Sequence, residues 1–437
     1  VPPRPNRKKQ RIERIHNLWD KIAPVPTHWL EKPAENKQDI EPIFCDNFAD
    51  VEAAWNEAFE FTDGMRTALI CMLATAASTD TVGAQLWLKL VGPPSCGKSL
   101  LCEAISVADK YVRPVSKFTG FVSGIKEKNG EDNSFVKELG GKTMVLKEGD
   151  TLLQMLNLSE ILSEARDIWD GVIRTSYRSG QQEEYKGIRF TWIAAFTSAV
   201  IGSAVDSADL GARFLTCIIA DGVDEELEKK VARRASRNAL AGSRRCVTTD
   251  LASHKNEAHA KADALTGGYL LYLRDNIEEL ISEESVEMSE DYMNRCEELA
   301  KMVAYLRARA SKRQTEVAER EMCARLSEQF VRMSLFAAVV LNKPVVDEEV
   351  EKIIHGLAAN ESRGVMKDIF QHLYDNGDAT TQTIAALLDV KDSEARTQLN
   401  FLYKLDAVEK GKRGAGYRWN LSDPLYDLYN ITFGENR

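Results

Sequence analysis

Gly92-Pro93-Pro94-Ser95-Cys96-Gly97-Lys98-Ser99 is the stretch on which the reading of this chain turns. It follows the apolar run Leu86-Trp87-Leu88-Lys89-Leu90-Val91 and leads into Leu100-Leu101-Cys102-Glu103-Ala104-Ile105. The run predicts a buried strand, the glycines a tight loop and the continuation a helix, the setting that a GxxxxGKS phosphate loop requires. Glycine lets backbone N–H groups curl around an anion, and the helix N-terminus adds partial positive charge. Gly92, Pro93, Pro94, Ser95, Cys96, Gly97 and Leu100 are the expected cradle. Lys98 is expected to reach the β- and γ-phosphates, and the Ser99 hydroxyl to hold Mg²⁺. The pattern implies a nucleoside triphosphate site, with ATP and Mg²⁺ as its ligands. A chance match in a turn is the competing reading, and the strand and helix on either side speak against it.

At 437 residues the chain is long enough for two or three domains, and 44% hydrophobic with 28% charged residues is ordinary for a globular protein. No stretch approaches a membrane span. The eight cysteines are scattered, with no CxxC pair and no Cys/His cluster at zinc-ligand spacing, which argues for reduced thiols, a cytoplasmic compartment and no structural metal. A net charge of −10 is not that of a protein coated in nucleic acid, so contact with DNA must come from local basic patches. The chain opens Val1-Pro2-Pro3-Arg4-Pro5 without Met or a signal-peptide pattern, and the expectation is a piece of a longer polypeptide.

Residues 1–49 read as a basic, Pro-rich linker. Residues 50–223 read as the nucleotide-binding core. Two helices are expected within 50–77, and the glycine-rich 112–142 reads as an insertion of loops or a hairpin. Lys142-Thr143-Met144-Val145-Leu146-Lys147-Glu148-Gly149-Asp150 predicts a second buried strand, lying beside the first and ending in carboxylates. Glu148 and Asp150 are the candidates to reach the Mg²⁺ shell or polarise an attacking water. A helix follows over 157–171. Val172 to Arg178 and Tyr185 to Phe190 flank a polar turn as a hairpin, its second strand running on into a third core strand that ends at Thr197-Ser198. Arg174, Arg178 and Lys186 on that hairpin are candidate phosphate contacts, with a solvated face as the plain alternative. Arg213 stands alone between a turn and a fourth strand, where it is either a surface residue or a finger completing a neighbouring subunit's site.

Residues 224–360 are almost wholly helical in pattern, beginning with a basic helix that carries Lys229, Lys230, Arg233, Arg234 and Arg237. Such a bundle after a phosphate-loop core has the character of a lid. Residues 361–437 predict three short helices and a basic, glycine-rich hairpin, a winged helix-turn-helix pattern. Arg396 and Lys404 on the third helix, with Lys412 and Arg413 on the wing, are candidate DNA contacts; a protein-contact role is the alternative.

Together these pieces resemble the AAA+ helicases of the minichromosome-maintenance type, and more closely the related replicative ATPases of phages and mobile elements. The resemblance covers roughly residues 50–420 and rests on the phosphate loop, on Leu210-Gly211-Ala212-Arg213-Phe214, on Arg325 and Arg332 seven apart, and on Val345 to Val350. It implies an α/β fold: an AAA+ P-loop core with a mostly parallel sheet and flanking helices, an α-helical lid, and a C-terminal winged helix. It further implies Arg213 as a finger acting in trans, Arg325 as a second sensor of the γ-phosphate, a homo-oligomeric ring, expected to be a hexamer, and single-stranded DNA in its pore. Two departures stand out. Lys147-Glu148 replaces an adjacent Asp-Glu, so Glu148 matches the catalytic glutamate and Asp150 would have to supply the metal-shell carboxylate. Thr197 replaces the sensor asparagine. The function so implied is an ATP-driven DNA helicase or translocase in replication. The alternatives are the helicase portion of a primase–helicase or polymerase–helicase, and an ATP-switched loader or regulator that does not unwind.

Overall fold

The run before the phosphate loop is a strand, β1 (Trp87–Val91), buried along its whole length. The computed structural model describes residues 40–116, 118–122, 134–176, 182–201, 213–220, 225–243, 257–308, 320–413 and 416–434. Within these, β2 (Val112–Val115), β3 (Thr143–Leu146), β4 (Val172–Ser176), β5 (Gln182–Lys186), β6 (Thr191–Phe196) and β7 (Phe214–Ile218) follow along the chain. Five of them form one sheet in the order β2-β3-β6-β1-β7, every neighbouring pair parallel. The antiparallel β4–β5 pair stands apart as a hairpin. A parallel sheet must be covered on both faces, and the alternating side chains of these strands accordingly divide between two cores.

Leu88 and Leu90 of β1, Val145, Ile193, Leu215 and Cys217 face one core. That side is covered by α1 (Phe48–Ala58), α2 (Asp63–Ala77), α3 (Lys98–Ile105) and further helices after β7. Trp87, Met144, Leu146, Trp192 and Phe214 face the other, with Ile161, Leu162, Ala165 and Ile168 of α5 (Leu158–Trp169), which follows the short α4 (Asp150–Leu153). Its centre is aromatic: Trp87 and Trp192 meet edge to face at 5.4 Å, as do Trp192 and Phe214 at 5.2 Å. Such pairs add about 0.5–1.5 kcal/mol each beyond their area.

After β7 the chain is helical through α6 (Glu225–Ser243), α7 (Glu257–Asp275), α8 (Ile277–Leu280), α9 (Glu290–Arg307), α10 (Ala324–Val340) and α11 (Glu348–Glu361). Asp347 starts α11 by accepting from the N–H groups of Glu349 at 3.1 Å and Val350 at 3.2 Å. Two side chains tie this bundle to β7 and the residue before it: Gln329 Nε2 donates to the Arg213 carbonyl at 2.8 Å, and Asn360 Nδ2 to the Thr216 carbonyl at 3.2 Å. The C-terminal elements are α12 (Val365–Asn376), β8 (Ala379–Thr380), α13 (Thr381–Leu388), α14 (Asp392–Lys404), β9 (Val408–Arg413), β10 (Gly416–Leu421) and α15 (Asp423–Phe433). Their core includes Met302, Tyr305 and Leu306 from α9.

Three expectations need correction. The strand ending toward Glu148 does not lie beside β1; β6 is inserted between them. Residues 112–142 are not wholly an insertion, because Val112–Val115 is a sheet strand. It occupies the edge, where Pro114 is tolerated and where its Arg113 need not be buried. The hairpin does not run on into the core strand: Gly187, at φ 70°, breaks the chain between β5 and β6. Most of the 1–49 linker, Arg178, Leu210 to Ala212, Arg244, Arg245 and the side chain of Arg413 lie outside the described part of the structure.

Candidate nucleotide site

Three adjacent strands, β3, β6 and β1, end side by side, and ligands of parallel α/β sheets bind beyond such carboxyl ends. The loop after β1 begins where the Gly92 N–H donates to the Phe196 carbonyl at 3.3 Å. Ser95 at φ 65° and Gly97 at φ 98° turn the backbone through the left-handed region. The positive φ favours glycine at Gly97; a Cβ there would lie 2.7 Å from Cε, the movable tip of the Met65 side chain. Lys98 opens α3 and folds back into the loop, its Nζ donating to the carbonyls of Gly92 at 2.7 Å and Pro93 at 2.8 Å, and lying 3.6 Å from Cys96 Sγ. Among the described residues no carboxylate holds this ammonium, so phosphate oxygens can take over from the neutral carbonyls and form stronger, charge-assisted bonds. Pro94, Ser95 and Ser99 are exposed around it, and Leu100 is half-buried.

On the neighbouring strands, the Gly149 N–H donates to the Ala195 carbonyl at 2.7 Å, and a Cβ at Gly149 would lie 2.7 Å from both that oxygen and the Phe196 ring. This close approach puts the turn after β3 directly on the end of β6. Asp150 then accepts from the Thr197 N–H with both carboxylate oxygens, at 3.0 and 3.2 Å. The structure thus gives Asp150 a positioning task that the sequence reading did not foresee. Glu148 is exposed, and its carboxylate makes no hydrogen bond or ion pair among the described residues. Lys147 pairs with Glu103 of α3 at 3.2 Å. These charges surround Cys102: burial pushes its thiol up to about 12, while Lys147, Glu103, Lys98 and Glu148 all act on the same sulfur. Among the described residues no three His, Cys, Asp or Glu side chains form a metal-binding group. Of the residues expected to reach a Mg²⁺ ion, Ser99 and Glu148 are exposed, and Asp150 is engaged by the Thr197 N–H.

Arg213 lies at the other end of the sheet. It precedes Phe214, which registers with Trp87 at the start of β1, so the full length of the strand separates it from its own chain's loop. Its side chain is 9% exposed and does not project as a free finger; it pairs with Asp170 at 3.4 Å and lies over the Trp169 ring at 5.5 Å. Arg325, at the start of α10, lies over the same ring at 5.1 Å. Burial lowers the Arg213 pKa, and the nearby charges of Arg325 and Arg166 act in the same direction. Two arginines 112 positions apart in sequence thus share one indole, a juxtaposition for which neither spacing nor periodicity offered any signal. Arg332, seven residues on, has a different role: it donates to Thr81 Oγ1 at 2.9 Å and to the Val82 carbonyl, and burial with Arg189 nearby pushes its pKa down to about 10.

The candidate nucleic-acid residues divide. Arg174 and Lys186 both bind Glu184, at 2.6 and 2.9 Å, so one carboxylate offsets two cations on the hairpin, and their hydrogen bonds hold its pKa low. That favours the solvated-face reading for this pair. In the C-terminal elements Arg396, Lys404 and Lys412 are all exposed. No known protein-family model matches this chain, and no curated protein does.

Proposed function

We propose that this chain is an ATP-driven, ring-forming DNA helicase or translocase whose ATP sites lie between subunits. The observation that carries the reading is the convergence of the Lys98 loop, the exposed Glu148 carboxylate and the fixed Thr197 at one end of the sheet, with Arg213 and Arg325 paired at the opposite end. In this reading the arginine end of one subunit meets the loop end of the next, and head-to-tail contacts of that kind form a ring when their rotation closes. In this reading 50–223 is an AAA+ core, 224–360 its lid, and 361–437 a winged helix that holds DNA. The three short helices and the β9–β10 hairpin support the last assignment.

Lys98 and the loop N–H groups hold the β- and γ-phosphates. Glu148, with no competing partner, orients the attacking water and receives its proton, and Thr197, held in place by Asp150, offers its hydroxyl to the water or a phosphate oxygen. Ser99 would hold an Mg²⁺ ion, with Glu148 reaching the ion's shell, and the ion would supply neutralisation of phosphate charge. Arg213 and Arg325 of the next subunit meet the charge that develops on the γ-phosphate.

The test is steady-state ATP hydrolysis with and without single-stranded and duplex DNA, on wild type and Lys98→Ala. DNA-stimulated turnover that disappears in the variant supports the motor. Absence of both ATP binding and turnover overturns it. A second reading, an ATP-switched loader or regulator, draws on the Lys147–Glu103 pair beside Glu148 and on the engagement of both Asp150 oxygens by Thr197. Tight ATP binding without turnover under every condition would favour that reading.

A further inference from the structure

The helix α6 is unusual in this molecule: from Glu225 to Leu240 not one of its side chains is buried. A helix that is polar all round gains little from tertiary burial, and its stability then rests on what its faces bind. One narrow face is accounted for. Arg234 donates to the carbonyls of Asn56, at 2.8 Å, and Glu57 at the end of α1, and Asn238 donates to the Ala58 carbonyl at 3.4 Å. The acids lie at the helix start, where they suit the helix dipole and where Glu225 and Glu226 pair with Lys229 at 3.0 and 3.2 Å.

What remains is Lys230, Arg233 and Arg237. All three are exposed, and none has an ion-pair or hydrogen-bond partner among the described residues. At i, i+3 and i+7 they form a single stripe beside the attached face. From Lys229 to Ser243 the sequence contains no acidic residue, in a chain whose net charge is −10. The stripe is about 10 Å long at 1.5 Å per residue. That matches about three steps of 3.4 Å, the axial spacing of phosphates along a strand in stacked, helical form. The hairpin Arg174–Lys186, by contrast, is already offset by Glu184.

We infer that the Lys230–Arg233–Arg237 face of α6 is a phosphate-tracking contact for a nucleic-acid strand, distinct from the β4–β5 hairpin and from the C-terminal hairpin. The contact is to the backbone, so it is indifferent to sequence and sensitive to salt. The inference rests on the nucleic-acid half of the proposed function and is independent of ATP turnover.

The experiment is fluorescence anisotropy of a labelled oligothymidylate on the full chain, without nucleotide, across a salt series. The variants are wild type, Lys230→Gln/Arg233→Gln/Arg237→Gln, and Lys229→Gln as a control whose charge is already paired. Loss of three single-strand phosphate contacts flattens the slope of log K against log salt by about 2. The expected result is that flattening in the triple variant, a wild-type slope in the control, and unchanged ATP affinity in both. A wild-type slope in the triple variant overturns the inference while leaving the proposed function standing. Failure of the wild type to bind the strand at any salt sinks both. A triple variant that loses self-association but keeps the slope assigns the stripe to a contact between copies and overturns the inference.

Discussion

Subunit mixing is the most direct way to separate a finger that serves a neighbour from an arginine that serves its own fold. Arg213 is one residue before Phe214, level with Trp87, whereas the phosphate loop starts after Val91 at the other end of β1. Five residues at about 3.3 Å each put roughly 16 Å between them, beyond what a side chain held by Asp170 and Trp169 can span. Removing an arginine finger costs about 10³–10⁵ in kcat, or roughly 4–7 kcal/mol in the barrier. Arg213→Ala and Lys98→Ala are therefore each expected to be inactive alone, the first with ATP affinity retained. Mixed at equal concentration, they form interfaces in which an intact Lys98 from one faces an intact Arg213 from the other. Random assembly makes about one quarter of interfaces complete, so the mixture is expected to recover about that share of wild-type turnover when adjacent sites act independently. The assay is phosphate release after co-assembly, with subunit exchange checked by native mass spectrometry. Variants that co-assemble without recovering activity, or an Arg213→Ala protein that turns over like wild type, would refute the trans assignment.

Three further outcomes are expected. Asp150→Ala removes the acceptor of the Thr197 N–H and should lower stability by about 1.5–3 kcal/mol, with a loss of turnover; Asp150→Asn, which keeps an acceptor, should be milder in urea unfolding, and equal losses would speak against the hydrogen bond. At pH 8 iodoacetamide should modify Cys96 well ahead of the buried Cys102, whose thiol titrates at about 12, and ATP should protect Cys96; peptide mass spectrometry showing equal labelling with and without ATP would contradict its placement in the loop. Glu349 is held low chiefly by Lys343, at 2.8 Å, aided by Arg66, also at 2.8 Å. A depressed folded pKa means stabilisation that is complete above the unfolded value of about 4.3 and is lost as pH falls through the folded one. The stability gap between wild type and Glu349→Gln should therefore be constant near pH 7 and close progressively below about pH 4; a gap independent of pH would remove the ion pairs as its cause.

The strand–loop–helix at 87–105 was legible because every local signal agreed: a continuous apolar run, glycines at the turn and an apolar helical pattern after it. The helices of 50–77 and of the bundle were legible from periodicity for the same reason. The sheet order was not, since nothing in the residues of β6 says that it lies between β3 and β1. Val112–Val115 was missed because an edge strand with Arg113 and Pro114 carries no buried alternation. At the site, Lys98 and Glu148 could be read from type and position. The work of Asp150 on Thr197, the closeness forced by Gly149, and the shared Trp169 platform all depend on contacts between segments distant in sequence.

Both margins of the central sheet are partly blunted against further strands. On β7, amide side chains from two bundle helices occupy the carbonyls of Arg213 and Thr216; on β2, Pro114 has no N–H to offer. A sheet edge with free backbone groups templates pairing with other chains, and at this sheet some of those groups are taken or missing. Strand addition at this sheet is thereby disfavoured, and with it backbone zippering there, which tends to be permanent.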